Sequence, residues 1–414
     1  MRKVLAVVLV VLSFASVLFV QAQERTVVDV VIGSDTNIFD WYANSIKPAF
    51  EAAYPEYELN LIHTGAEGAG GNGPIADRAY AAFQTGDDPL VSYFETWNTQ
   101  EPFGALDDGL WLEITTENVP NLELVIDAAV GGSNGFQIPY RGSQVILAYN
   151  ADRLLELLID KGDLEEGATV DDIPEEAVPS TFPELMEWSC EFPGEFTYPR
   201  PDTTGAGRNF VTRAIFEVNG LDQSVFTIDA FVERYGTEEL TQEDIVAINE
   251  EFYAEAWDML NEVEPCLFEE GNYPAGAAAE TRLLTDEVIT MITIWSDQAL
   301  EGRGLGLLPE NTRFIQLEDL PMAGGYASSA IPVNASNLDG ALALANYLLS
   351  PEGQESVVRV IGGFPAIDWE NFPPELQEDF NDVITSDVPS FGGVWVGPAI
   401  DGWYANVAPE IERE

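Results

Sequence analysis

Thr26-Val27-Val28-Asp29-Val30-Val31-Ile32-Gly33, followed by Ser34-Asp35-Thr36-Asn37, is the stretch that decides the fold. Its β-branched run ending in glycine suits a buried strand feeding a turn. Beyond the turn, Ile38, Tyr42, Ile46, Phe50 and Ala53 recur at steps of four and three. That spacing predicts a helix stopped by Pro55, with Pro48 marking a kink or a break. Tyr57 to His63 is the next strand. The glycine-rich loop Gly65 to Gly73 lacks phosphate-binding spacing and reads as a plain connection.

The same alternation continues outward. Ile75 to Phe83, Phe182 to Ser189, Ile248 to Leu260 and Asn337 to Leu349 read as helices. Leu90 to Phe94, Gln137 to Tyr149, Val288 to Trp295 and Ala330 to Val333 read as strands. Strand and helix in turn predict α/β layers with largely parallel sheets. Asp163 to Pro179, acidic and bearing prolines, reads as a surface insertion with few core positions.

At the start, Met1-Arg2-Lys3 leads into an apolar run from Val4 to Val20 that closes on Val20-Gln21-Ala22. This is the pattern of a secretory signal peptide, cleaved near Ala22. No cysteine follows that would carry a lipid, so the expected product is exported, with no membrane insertion after cleavage. The remaining chain exceeds the size at which one core keeps growing, so two domains are expected.

The net charge is −55, from 17 basic and 72 acidic residues. Such a field excludes nucleic acid and anionic membrane surfaces as partners. It fits either a solvated acidic surface for a salty or extracellular setting or a field that draws in a cationic ligand. Cys190 and Cys266 have no Cys-x-x-Cys spacing for redox work or zinc. In an exported chain they either form one disulfide or stay as two buried thiols.

Phe50-Glu51-Ala52-Ala53-Tyr54-Pro55 before a strand resembles the first helix ending of the extracellular solute-binding proteins of ABC importers. The order Ile331-Pro332-Val333-Asn334-Ala335-Ser336-Asn337, then a helix ending Ala345-Asn346-Tyr347-Leu348-Leu349-Ser350-Pro351-Glu352-Gly353-Gln354, is similar to a signature of that family. Thr181-Phe182-Pro183-Glu184-Leu185 and Phe196-Thr197-Tyr198-Pro199-Arg200-Pro201 resemble its thiamine-type or polyamine-type subgroup. The resemblance covers nearly the whole mature chain. It implies a two-lobed periplasmic-binding-protein-like fold of type II, each lobe a mixed, mostly parallel sheet flanked by helices. The implied division is residues 1–22 as signal peptide, 23–139 with 304–360 as lobe 1, and 140–303 with 361–414 as lobe 2. The implied activity is reversible capture of a solute in an interlobe cleft by a periplasmic or extracellular monomer, which docks to a transporter permease.

Ligands of open α/β sheets sit beyond the carboxyl ends of strands. That rule selects Ser34, Asp35 and Asn37; Glu95, Thr96, Trp97 and Asn98; Tyr140, Arg141, Gly142 and Gln144; Thr203, Thr204, Gly205 and Asn209; and Trp295, Ser296 and Asp297 with Tyr326. Trp97 and Trp295 are either cleft platforms or core. Asp35 and Asp297 either bind ligand or cap helices. Arg141 either holds a ligand anion or locks onto an acid across the cleft, the internal pair being preferred. Thr204 and Gly205 open a helix whose backbone N–H groups suit an anionic or polar group.

An aromatic face beside a carboxylate suits a flat or cationic ligand, thiamine-like or polyamine-like, with a sugar as the alternative. The adjacent Tyr-Tyr pair on which ferric-binding relatives rely is absent, which argues against iron. Catalysis is not expected. Gly131-Gly132-Ser133-Asn134-Gly135 matches the serine-hydrolase elbow in letters, but the single histidine, His63, precedes it. One histidine also excludes His-cluster metal sites. An exported carboxylate-based hydrolase is the remaining enzyme alternative. No cofactor is implied.

Overall fold

The computed structural model describes residues 25–33, 36–64, 71–130, 134–236, 240–378, 380 and 391–413. The expected signal segment, Ser34, Asp35 and Gly131 to Ser133 lie outside the described residues. The first sheet has β1 (Thr26–Ile32) at its centre, with β2 (Tyr57–His63) and β3 (Tyr93–Glu95) parallel to it on either side. On one face Val28, Val30 and Ile32 pack with Ile38, Trp41, Tyr42, Phe50, Leu344 and Leu348. On the other, Val31 packs with Ala76, Ala79, Phe94, Trp97 and Trp111. Burial on both faces is why β1 reads as a continuous apolar run.

Local departures from the expected elements have local causes. The strand expected from Leu90 begins only at Tyr93, because Leu90 is left-handed (φ 56°) and donates its N–H to Asp88 Oδ1 at 2.8 Å in a turn. The helix after β1 runs Thr36–Trp41, widens into a π turn over Tyr42–Ile46, and resumes as Lys47–Ala53. Pro48 has no N–H for the carbonyl four residues back, and the widened turn immediately precedes it. Asp163 to Pro179 is less superficial than expected: Val170, Ile173 and Val178 pack against the second core, and Trp188 Nε1 donates to the Ala177 carbonyl at 3.1 Å.

A long strand crosses between the two halves. β4 (Ile138–Asn150) is buried at every position. Ile138 and Tyr140 pack in the first core. From Val145 onward its side chains alternate: Val145, Leu147 and Tyr149 face a large aromatic core that includes Phe182, Phe210, Trp257 and Trp403, while Ile146 and Ala148 face the helices Ala277–Thr285 and Ser296–Gly304. That is the period of two of a strand covered on both faces.

The inner part of β4 pairs with β8 (Gly324–Ser329) and β9 (Phe364–Pro365). Its outer part pairs with β6 (Met291–Trp295) and β7 (Thr312–Ile315), and β5 (Phe196–Thr197) runs parallel beside β6. The α/β class expected from the sequence is the class adopted. Within the second sheet, however, β4 runs antiparallel to β6 and β7, since it arrives from the other lobe. Leu317, Leu320 and Met322 pack in the second core, although the sequence division puts 304–360 in lobe 1; pairing of β7 with β4 carries this segment across. Cys190 and Cys266 are bonded, with their Cα atoms 4.8 Å apart. The disulfide ties the helix Phe182–Glu191 to the turn after Val263.

Candidate functional site

The ends of β1, β3 and β6 meet at the middle of β4. Gly33, just past β1, donates its N–H to Glu95 Oε2 at 3.2 Å. This approach requires glycine, since a Cβ there would lie 2.5 Å from the Asn72 amide, which itself donates to the Glu95 carbonyl at 3.1 Å. Glu95 is fully buried and also accepts from the hydroxyls of Thr96 and Tyr140. Thr96 is held left-handed at φ 48°, a conformation unfavourable for a β-branched residue that bends the chain back over the carboxylate.

Arg141 sits at the crossing. Its Nε donates to Tyr140 Oη at 3.0 Å, and its two terminal nitrogens lie 3.5 Å from Glu95 Oε1 and 3.8 Å from Asp297 Oδ2. Glu95 belongs to the first sheet and Asp297 to the helix after β6, so this guanidinium faces an acid from each lobe. Burial disfavours its charge, but Tyr140, Glu95 and Asp297 outweigh that and raise its pKa above the ordinary arginine value. Asp297 Oδ1 accepts from Ser143 Oγ at 2.6 Å, and Ser296 Oγ accepts the Gln144 N–H at 3.1 Å. Gln354 secures the strand from behind, donating to the carbonyl of Tyr140 at 2.7 Å and accepting from Ala366 N at 2.6 Å.

A second link between the lobes lies one helical turn further on. Asn37 Nδ2 donates to Glu301 Oε2 at 3.2 Å. Glu301 is four residues after Asp297, hence on the same helix face. Burial raises its pKa, opposed by the Asn37 bond and reinforced by the negative charges of Asp297 and Asp40.

The predicted residues divide accordingly. Asn37, Glu95, Tyr140, Arg141 and Asp297 come together. Trp97 does not join them: it is 4 % exposed, packs on Phe94 and Trp111 at centroid distances of 5.6 and 6.2 Å, and is a core residue. Asn98 is exposed and accepts Gln100 N–H in a turn at 3.1 Å. Asp35 lies outside the described residues. Thr204 caps its own helix, accepting from Ala206 N at 3.2 Å. Gly205 lies under the ring of Trp295, where a Cβ would come within 2.5 Å of Cζ2.

Trp295 and Tyr326 both keep part of their surface exposed, and Tyr326 lies over Gly142, with its hydroxyl pushed up to about 12 by burial. Glu301 and Ser143 were missed by the strand-end rule. The step of four from Asp297 was the signal that could have found Glu301.

Residues 67–381 match the family model described as bacterial extracellular solute-binding protein. Protein YnjB of Escherichia coli strain K12 is 25% identical over 379 residues, covering 89% of this chain and 86% of that protein. The solved extracellular solute-binding protein from Bordetella parapertussis superposes with a TM-score of 0.61 at 13% identity, over 92% of this chain and 99% of that one. The spermidine/putrescine ABC transporter substrate-binding protein PotD from Streptococcus pneumoniae superposes with a TM-score of 0.59 at 13% identity, over 92% and 98%. These structures share the two-lobed type II architecture found here. Among the described residues, no helix is long and apolar enough to cross a membrane. A family match spanning most of the chain, on two lobes that meet at a polar crossing, makes this protein a member of the bacterial extracellular solute-binding proteins.

Proposed function

We propose that this solute-binding protein of an ABC import system captures a small cationic solute, thiamine-like or polyamine-like, between its lobes. The observation that carries the reading is the excess of carboxylates where the lobes meet. Glu95 and Asp297 face the guanidinium of Arg141, Glu301 follows one helical turn on against Asn37, and Asp40 adds a further charge felt by Glu301. The partly exposed rings of Trp295 and Tyr326 flank the same region and suit a flat or cationic group, each such contact contributing about 0.5–2 kcal/mol. A sugar needs no carboxylate excess, so the acids favour the cation.

In this reading a bound solute holds Asp297 and Glu301 against the first lobe, where Asn37 and Arg141 meet them, and the closed monomer docks to the permease. The cycle is driven by differential affinity for the open and closed states rather than by chemistry. No catalytic step is assigned to the site.

Thermal melts against spermidine, putrescine, thiamine and glucose, at low and high salt, test the proposal. A cation at 100 times its Kd adds about 2.7 kcal/mol of stability. Glu301→Gln is expected to weaken that cation at least tenfold. Wild-type affinity is expected to rise with pH as the Glu301 carboxyl, whose pKa is raised, loses its proton. A saturable shift with glucose alone, or cation affinity indifferent to Glu301→Gln, defeats the cation reading.

A further inference from the structure

Arg208 stands out in this acidic chain. It lies on the helix Gly205–Val218 and is exposed. Among the described residues it has no ion pair, hydrogen bond or ring partner of its side chain, whereas Arg141, Arg153 and Arg213 each face carboxylates. In a chain with 72 acids against 17 bases, its side chain is left without an acidic partner. Its pKa is lowered, and loss of solvation is the one cause, with no acid offsetting it.

The position of Arg208 is set by its neighbours. It is three residues after Gly205 and four after Thr204, so all three share one helix face. Trp295 packs its ring against Gly205 on that face. The next residue, Asn209, donates Nδ2 to the Ala323 carbonyl at 3.1 Å, immediately before β8 enters the crossing. Arg208 is therefore rooted between Trp295 and the strands that join the lobes. The acids Asp297 and Glu301 lie on the helix that follows Trp295 and face Asn37 and Arg141 instead. Trp295 thus separates a negative region from one unpartnered positive group.

We propose that Arg208 receives the anionic end, a carboxylate or a phosphate, of the captured solute, which makes the solute a zwitterion whose flat or cationic part lies on the acidic side of Trp295. The assignment of the cationic part rests on the function proposed above; that of the anionic part rests on Arg208 alone. A guanidinium binds either group by two parallel N–H donations.

The test uses the purified protein and Arg208→Gln, titrated calorimetrically at low ionic strength with inorganic phosphate and, separately, with acetate. Saturable binding of at least one anion is expected in the wild type and a loss of at least tenfold in the variant, with an unchanged denaturation midpoint because Arg208 makes no hydrogen bond or ion pair that folding needs. The anion that binds identifies the group. Binding of neither anion, or equal binding by both proteins, overturns the inference. The same two proteins are titrated with spermidine and thiamine. Cation binding without anion binding sinks the role of Arg208 and leaves the proposed function standing. Anion binding that depends on Arg208, with no cation bound, supports the role of Arg208 and sinks the cationic reading.

Discussion

Arg213 is 1 % exposed and Arg141 is 9 % exposed, and each faces two carboxylates. Arg213 lies inside the second lobe. It pairs with Glu217 at 2.8 Å and Asp319 at 2.6 Å, donates to the Leu320 carbonyl at 2.7 Å, and sits over the Phe182 ring at 5.0 Å. Arg141 pairs at 3.5 and 3.8 Å, and its two acids come from different lobes. A tight pair within one rigid body has a single geometry. A looser pair across two bodies changes energy when they move, which in the proposed function lets the crossing respond to a solute while the interior does not.

The comparison is broken most directly at Arg213. Arg213→Gln leaves Asp319 without its cation and is expected to cost about 3–5 kcal/mol, the range for breaking a buried pair. Chemical denaturation should show this loss while solute affinity per folded molecule stays unchanged. A change in affinity would mean that the two lobes are not energetically separate. Replacing Cys190 and Cys266 together by serine opens a loop of 76 residues in the same lobe. The expected cost is about 2–4 kcal/mol, again without effect on affinity.

Arg141→Gln is expected to behave in the opposite way. Glu95 keeps its donors from Gly33, Thr96 and Tyr140, so the stability loss should be only about 1–3 kcal/mol. Solution scattering should show wider lobes, and solute affinity should change. Equal scattering profiles for variant and wild type would reduce Arg141 to a structural pair like Arg213.

A further contrast lies at Glu280, which is buried and accepts from Thr293 N at 2.9 Å and Oγ1 at 2.8 Å. Burial raises its pKa well above the usual glutamate range, and the Thr293 bonds only partly oppose this. The folded protein therefore holds a proton that the unfolded chain releases, and stability falls as pH rises between the two pKa values. Glu280→Gln keeps both acceptor bonds and removes that loss. Its advantage over wild type should grow by about 1.4 kcal/mol per pH unit across that window, read from denaturation midpoints at several pH values.

The elements legible beforehand are those whose cause is local. The β-branched run of β1, the Thr181 cap with Glu184 three residues on, and Asn337 accepting from Gly340 N at 3.0 Å at the start of the helix Leu338–Leu348 all follow from residues adjacent in sequence. The strand-end rule brought forward Asn37, Glu95, Tyr140, Arg141 and Asp297 because it describes where sheets in general expose polar ends. It also brought forward Trp97, since no local pattern separates a tryptophan packed on Phe94 and Trp111 from one that faces solvent. The antiparallel sense of β4 and the transfer of residues around Leu317 to the second core depend on pairings with β6 and β7, distant in sequence.

What the sequence by itself determined was the α/β class, the acidic character and the candidate strand ends, because periodicity, composition and turn chemistry act over a few residues. Only the tertiary structure decided which acids Arg141 faces, that Asn37 reaches Glu301, and that Arg208 faces none. Those facts depend on how two lobes, each with its own core, are set against one another by the strands that cross between them.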